Sequence, residues 1–376
     1  MSRARTESRT GARTVGIEEE LLLVDPKTRM TASLSQLAEA ANEHEAEVGT
    51  ELFRHQVETS TPPLTTAADL ADAVRAGRRA IGEAAAAAGA RAVAVATPPL
   101  EPQAPEEFTP TPRYLRFDGE FGLVAREAHV CAMHVHVAVD DDEERVRVVD
   151  HVRPWLPLLT ALSANSPYWR GQDTGFASWR SQVWGRWAAA GTREPFGDAR
   201  TYREVADQVL AWGGGLDAGM LYYDVRLAER YPTVEVRVAD VCLDVDDAVL
   251  VAVLCRALVS RSLAPPAAYD GEPWRADLLR VASWRASRFG LAADLVHPVR
   301  RELVTPRQAL GGLLDHVGDQ LEDTGELDLA RQGVERVLAR GNGAVRQRQR
   351  FEETGDLVAV VDALADATED SWADRG

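Results

Sequence analysis

Lysine is nearly missing from this 376-residue chain: of 42 basic residues all but Lys27 are arginine. A phosphate loop of the G-x-x-x-x-G-K-[ST] type needs its lysine among glycines, and Lys27 stands in Asp25-Pro26-Lys27-Thr28, so that mode of ATP binding is excluded. A phosphate clamp here has to use arginine forks and metal ions, although the arginine excess fits a genome-wide composition bias equally well. Cysteine is scarce too. Cys131, Cys242 and Cys255 are odd in number and lack C-x-x-C spacing, which argues against a disulfide framework and against a zinc site. No run approaches 18 uncharged apolar residues, and the arginine-bearing first 13 residues lack the apolar stretch of a secretory signal, so the expectation is a cytoplasmic protein with no membrane partner. Positive charge is the last deficit: a formal net charge of −17 opposes the basic groove that nucleic acid requires. A small-molecule substrate fits better.

What is present is a large apolar fraction, 45%, with 28 Gly and 19 Pro, enough for one large globular unit. We expect residues 1–13 to be a disordered tail and 14–376 a single catalytic domain. Residues 14–24 read as a strand, 34–48 as an amphipathic helix ended by Gly49, and 51–59 as extended chain before Pro62-Pro63. An alanine-rich helix over 67–88 leads to a strand over 91–96. Six prolines make 97–112 an extended loop, whose role, covering a site or wrapping the surface, stays open. A helix near 117–127 precedes a histidine strand over 129–139, and helices follow near 143–151 and 155–164. Residues 176–190, with Trp179, Trp184, Trp187, Arg180 and Arg186, either lie over a nucleotide or simply pack. Strands over 216–226 and 233–238 come next, and helices dominate from 248. Strands crowd the first two thirds and helices the last, so the expected class is α+β with a mostly antiparallel sheet covered by helices on one side.

Polar residues then stand out on the strands. Alternation places Glu18 with Glu20, His134 with His136, and Glu235 with Arg237 on shared faces, while Glu19 points the other way to a structural partner or to solvent. Buried carboxylates repel unless a cation sits among them, and oxygen donors with an occasional imidazole suit Mg²⁺ or Mn²⁺. Of the two histidines at most one need be a ligand. The loop over 165–175 holds Arg170 and Asp173 among glycines whose N–H groups could meet an anion.

Five blocks carry a resemblance: Thr14-Val15-Gly16-Ile17-Glu18-Glu19-Glu20; His134-Val135-His136-Val137; Ser163 to Gly171 with Asn165, Ser166, Pro167, Tyr168, Trp169 and Arg170; Ser178 to Trp187; and Thr233-Val234-Glu235-Val236-Arg237. In this order they resemble the type 2 glutamate–cysteine ligase family, in its bacterial carboxylate–amine ligase branch. The resemblance implies a glutamine-synthetase-like fold, a curved antiparallel sheet forming a funnel that holds ATP and Mg²⁺ or Mn²⁺. Carried over by motif, it implies one metal group of Glu18, His134 and Glu235 and another of Glu20, Glu51 and Glu58. Arg237 and Arg170 are implied to act on the transferring phosphate, with Arg180, Arg186 and Arg237 holding nucleotide. The resemblance leads us to expect glycine at the positions held by Ala132 and Ala138.

The implied reaction joins a small carboxylate to a small amine through an acyl phosphate, glutamate and cysteine being family-level candidates and a homodimer a family-level expectation. Rival readings are a phosphotransferase like the guanidino kinases, and a non-catalytic metal-nucleotide binder. Removing Glu18 or Glu235 is expected to abolish turnover yet leave a folded protein, because mutually repelling acids seldom support stability.

Overall fold

The computed structural model describes residues 11–33, 47–102, 107–264 and 273–373. In the strand β1, Val15–Val24, Val15, Ile17, Glu19 and Leu21 are buried while Gly16, Glu18 and Glu20 are only partly so. That two-residue period gives the strand a helix-covered face and a site face. The remaining strands of the main sheet are β2 (Glu47–Thr50), β3 (Gln56–Ser60), β4 (Arg91–Val93), β5 (Ala132–Ala138), β8 (Val225–Leu227) and β9 (Thr233–Asp240). They pair in the order β2-β3-β1-β5-β9-β8, with β4 also on β1, and each of these pairings is antiparallel. Two short hairpins, β6–β7 (Tyr168–Trp169, Gln172–Asp173) and β10–β11 (Leu295–Val296, Leu303–Val304), lie outside it. The class is α+β.

Valines supply the covered face. Val135, Val137, Val234, Val236 and Ile17 join one core with the helices Val245–Leu263, Leu156–Ser163 and Pro306–Asp323. Leu250, Leu254 and Leu258 of the first of these are at most 2% exposed, so the helix is apolar nearly all round, as a central helix must be. The helix Ala67–Ala87 starts at Thr66, whose side chain accepts a hydrogen bond from Asp69 N. It buries Leu70, Val74, Arg78 and Ile81 along one stripe, which brings Arg78 onto Glu19: Nη2 and Nε lie 2.6 and 2.9 Å from the two carboxylate oxygens. Arg78 also donates to the carbonyls of Cys242 and Leu243. The inward acid of β1 is thus a fully partnered strut.

Several expectations are corrected. The helix expected over 34–48 falls largely outside the described residues, but its end is β2, so Gly49 is a strand residue opposite Glu58 instead of a helix stop. The strand expected over 91–96 closes at Val93. The helix expected over 117–127 is two, Pro112–Phe121 and Leu123–Arg126, broken at Gly122 with φ +53°, a conformation other side chains resist. The strand expected over 216–226 shrinks to Val225–Leu227, since Ala218–Met220 forms a 3₁₀ turn. A helix at Ala199–Ala211 was not anticipated. The first ten residues of the expected tail lie outside the described residues. No described helix is long and apolar enough to cross a membrane.

Candidate metal and nucleotide site

Register decides which acids meet. Across β1 and β3 Glu20 faces Glu58, across β1 and β5 Glu18 faces His134, and across β5 and β9 His136 faces Glu235, which in turn faces Arg226 of β8. Between Met133 and Val135 the β5–β9 register shifts, a bulge that puts an extra residue in β9 beside His134. The result is a diagonal of polar groups from β3 to β8, opening into a cavity of about 720 Å³. Glu18, Glu20, Glu51, Glu58, His134, His136, Glu235 and Arg237 all line it.

Among the described residues, three sets of donor atoms lie within 4.8 Å of one another: Glu18, Glu58 and His134; Glu18, His136 and Glu235; and Glu20, Glu51 and Glu58. The last is the set anticipated from sequence. The anticipated set of Glu18, His134 and Glu235 is redistributed, with His136 beside Glu235 and His134 beside Glu58. His136, left out of the anticipated sets, joins one of those observed. Its Nε2 lies 3.2 Å from Glu18 Oε1, while its Nδ1 is 2.9 Å from Thr233 Oγ1, which orients the ring. Strand alternation already placed it on this face; only the bulge reveals that it opposes Glu235.

Electrostatics separates the acids into two kinds. Burial pushes Glu51 up to about 8 and Glu58 well above the usual carboxylate range, and repulsion among Glu51, Glu20, Glu18 and Glu58 adds to it. Burial also raises Glu20, against a 2.7 Å hydrogen bond from Ala132 N and attraction by Arg180 and Arg237. For Glu235 burial is outweighed by Arg237 and Arg226, which hold it below the ordinary range. Arg226 Nε is 2.7 Å from Glu235 Oε2, and Arg237 pairs with Oε1. Glu18 is likewise held low by His134 and His136 despite burial. His134 is pushed down to about 4 by burial and by Arg237, so it is neutral at pH 7. Its Nε2 is buried and has no hydrogen-bond partner among the described residues. Crowded carboxylates short of positive charge, beside the neutral imidazole of His134, are the donor chemistry that fits a hard divalent cation.

The other arginines stand elsewhere. Arg180 is buried, with Nη2 donating to the backbone carbonyl of Arg237 at 2.9 Å, so it props β9 from beneath. Arg170 and Arg186 converge on Glu127, at 3.6 and 2.5 Å, and neither lines the cavity. Arg170 and Gly171 form the two-residue turn of the β6–β7 hairpin with φ of +49° and +79°. Their N–H groups donate to Pro98 and Pro99, and Gly175 N donates to Asp173, so the anticipated anion nest is already used within the protein. The same contacts seat part of the proline-rich loop against this hairpin.

Two of the sequence blocks turn out to be joints. Ser166 and Ser178 donate to opposite oxygens of buried Asp240 at 2.7 Å, and Asn165 N donates to it at 2.8 Å. Asn165 also ties Ala94 and Val241 together and accepts from Gln347. Past the bulge Asp240 can reach these partners, so the network fixes the end of β9 and with it Arg237.

The glutamate-cysteine ligase family 2 model matches residues 14–363. "Putative glutamate--cysteine ligase 2-2" of Frankia alni is 44% identical over 94% of this chain and 96% of its own length. "Putative glutamate--cysteine ligase 2-1" of Streptomyces avermitilis is 46% identical over 92% of this chain and 96% of its own. Among solved structures, the glutamate–cysteine ligase of Francisella tularensis in complex with AMP superposes with a TM-score of 0.73 at 12% identity, covering 97% of this chain and 90% of that one. A bifunctional glutathione synthetase from Pasteurella multocida gives 0.68 at 15%, covering 97% and 52%.

Proposed function

The chain belongs to the glutamate-cysteine ligase family 2, and from that premise we propose that it is an ATP-dependent carboxylate–amine ligase, with residues 14–376 as one catalytic domain. The observation that carries this reading is the intersection of three donor sets through Glu18 and Glu58 on one cavity wall, beside Arg237 and Arg226. One isolated acid pair can be surface decoration; three sets sharing members are a device for more than one cation. Glu18, Glu20, Glu51, Glu58, His134, His136 and Glu235 would hold Mg²⁺ or Mn²⁺. Such ions neutralise phosphate charge and let two anions approach.

The substrate carboxylate attacks the γ-phosphorus of ATP and ADP leaves with the electron pair of the broken P–O bond. The amine nitrogen then attacks the acyl carbon, the C–O bond to phosphate breaks, and the nitrogen gives up a proton to water. A carboxylate cannot expel oxide, so phosphorylation supplies the leaving group. In this reading Arg237 would donate to the transferring phosphoryl group, held by its pairing with Glu235 and by the bond from Arg180 to its carbonyl. Neutral His134 can offer a lone pair without first losing a proton. In this reading Arg170 and Arg186 keep no contact with nucleotide and support the hairpin through Glu127. The family-level candidates for acid and amine are glutamate and cysteine. Phosphate release that requires ATP, an acid and an amine together supports the proposal; a phosphorylated product that accumulates without amine would favour the phosphotransferase instead.

A further inference from the structure

The cavity has an acidic end and an aromatic end that meet near Glu51, whose charge acts on Tyr114 and Tyr222. In the aromatic end Tyr114 and Trp184 are partly open to the cavity, and Tyr222, Phe117 and Trp187 form its backing at 8% exposure or less. The rings form one continuous surface. Trp184 and Trp187 lie 4.5 and 5.4 Å from Tyr222, and Phe117 lies 5.8 Å from Trp187. Tyr222 also carries the guanidinium of Arg237 at 5.8 Å, so the aromatic wall begins where the proposed phosphoryl transfer takes place. Leu52 and Val130 add apolar surface to the wall.

From this wall, and resting on the ligase reading above, we infer that the aromatic end receives the side chain of the amine substrate and selects a bulky apolar or aromatic one over a small polar one such as cysteine. The acid is the poorer occupant. Glutamate, once its reacting carboxylate is at the metal end, leaves an ammonium and a second carboxylate to be paired, and rings pair neither. The guanidinium over the rings, Arg113, 5.6 and 5.1 Å from Tyr114 and Phe117, is already held by both oxygens of Asp217. The exposed charges that line the cavity besides it are Glu229 and Arg230. An apolar amine, by contrast, gains hydrophobic burial from every methylene that enters the box, and a flat ring gains stacking on Trp184 and Tyr222. A thiol reaches little of that surface.

Phosphate release with ATP, Mg²⁺ and glutamate, measured for L-phenylalanine, L-leucine and L-cysteine, tests this. The expected result is a kcat/KM for phenylalanine about tenfold or more above that for cysteine, with leucine between. Trp184→Ala and Tyr114→Ala, on separate helices, should each raise the KM for phenylalanine about tenfold and leave the KM for ATP alone, while Trp184→Phe keeps most of the preference. Equal or better use of cysteine overturns the inference. So does a rise in the KM for ATP in place of the amine, which would put the adenine base in the box. If no amine releases phosphate, the ligase reading fails, and calorimetric titration of phenylalanine into the Mg²⁺–ATP-bound protein still decides the box. Binding lost in Trp184→Ala sustains it; no binding to the unaltered protein ends it.

Discussion

Glu19 and its neighbours Glu18 and Glu20 share one strand and opposite fates. Glu19 is 1% exposed and holds a two-pronged contact with Arg78; its neighbours face a cavity in which acids meet acids. On the helix side the protein carries its own counter-charge, fixed by the stripe that buries Leu70 and Val74. On the site side counter-charge is deficient around Glu20, Glu51 and Glu58, and that deficit is what a cation can fill. A buried acid is therefore informative only together with its partner: a satisfied one reports architecture, an unsatisfied one reports a ligand.

The comparison breaks most visibly at Arg78. Arg78→Ala strands a buried carboxylate and removes donors from the carbonyls of Cys242 and Leu243, so unfolding stability should fall by about 3–5 kcal/mol. Urea denaturation reads this directly, and a loss under ~1 kcal/mol would mean that Glu19 is not the strut described.

Glu235 lies on the site side yet resembles Glu19, because Arg226 and Arg237 already pair with it. The expectation of a folded variant rested on relieved repulsion, and for Glu235 that ground is revised. Glu235→Ala abandons two buried or nearly buried guanidiniums and should cost about 2–4 kcal/mol as well as turnover. A variant as stable as the parent would refute the pairing.

How much of this was legible in the sequence follows from what each feature depends on. Alternation in β1 and β9 is local, so Glu18, Glu20, Glu235 and Arg237 were assigned their shared faces from residue order alone. Register is not local. The bulge opposite His134 moves His136 onto Glu235, and the single strand residue Arg226 completes the pair from a segment expected to be strand nine residues too early. The arginines of the later blocks misled for a related reason: Arg180 answers to a carbonyl 57 residues away and Arg186 to Glu127, 59 residues away, and nothing near either in the chain announces that partner. Gly49 looked like a helix stop because glycine marks both caps and strand positions, and β3 decided between them.

Acidity sharpens the contrast between the sides. Glu51, Glu58 and Glu20 are raised in the folded protein, so the folded state binds more protons than the unfolded one above the unfolded carboxylate range. Their contribution to stability is present below about pH 4.5 and is lost as pH climbs toward 8. Glu18 and Glu235 are depressed, and what they contribute disappears only below the ordinary carboxylate range, outside that window. Metal-free protein should therefore melt about 2–4 °C higher at pH 6 than at pH 8.5. Mg²⁺ should restore more at pH 8.5, where the acids are ionised. Equal Mg²⁺ stabilisation at both values would contradict the crowded-acid picture.

The smallest effect on stability, and the one of opposite sign, belongs to Glu58→Gln. Glu58 has no arginine partner among the described residues; it meets Glu20 across the strands and shares two donor sets with Glu18, Glu20 and Glu51. Glutamine keeps its shape and removes its charge, so the repulsion on its neighbours falls while packing is kept. Metal-free stability should be unchanged or higher by up to about 1 kcal/mol, whereas Mg²⁺ binding, followed by calorimetry, should weaken at least tenfold because two donor sets lose a charged oxygen. Arg78→Ala and Glu58→Gln then form a pair of opposite outcomes on opposite sides of one sheet: the first loses stability with its metal ligands intact, the second loses metal with its stability intact. If Glu58→Gln instead destabilises the metal-free protein by as much as Arg78→Ala, the acids of the cavity are held by contacts of their own, and the division between a satisfied and an unsatisfied face collapses.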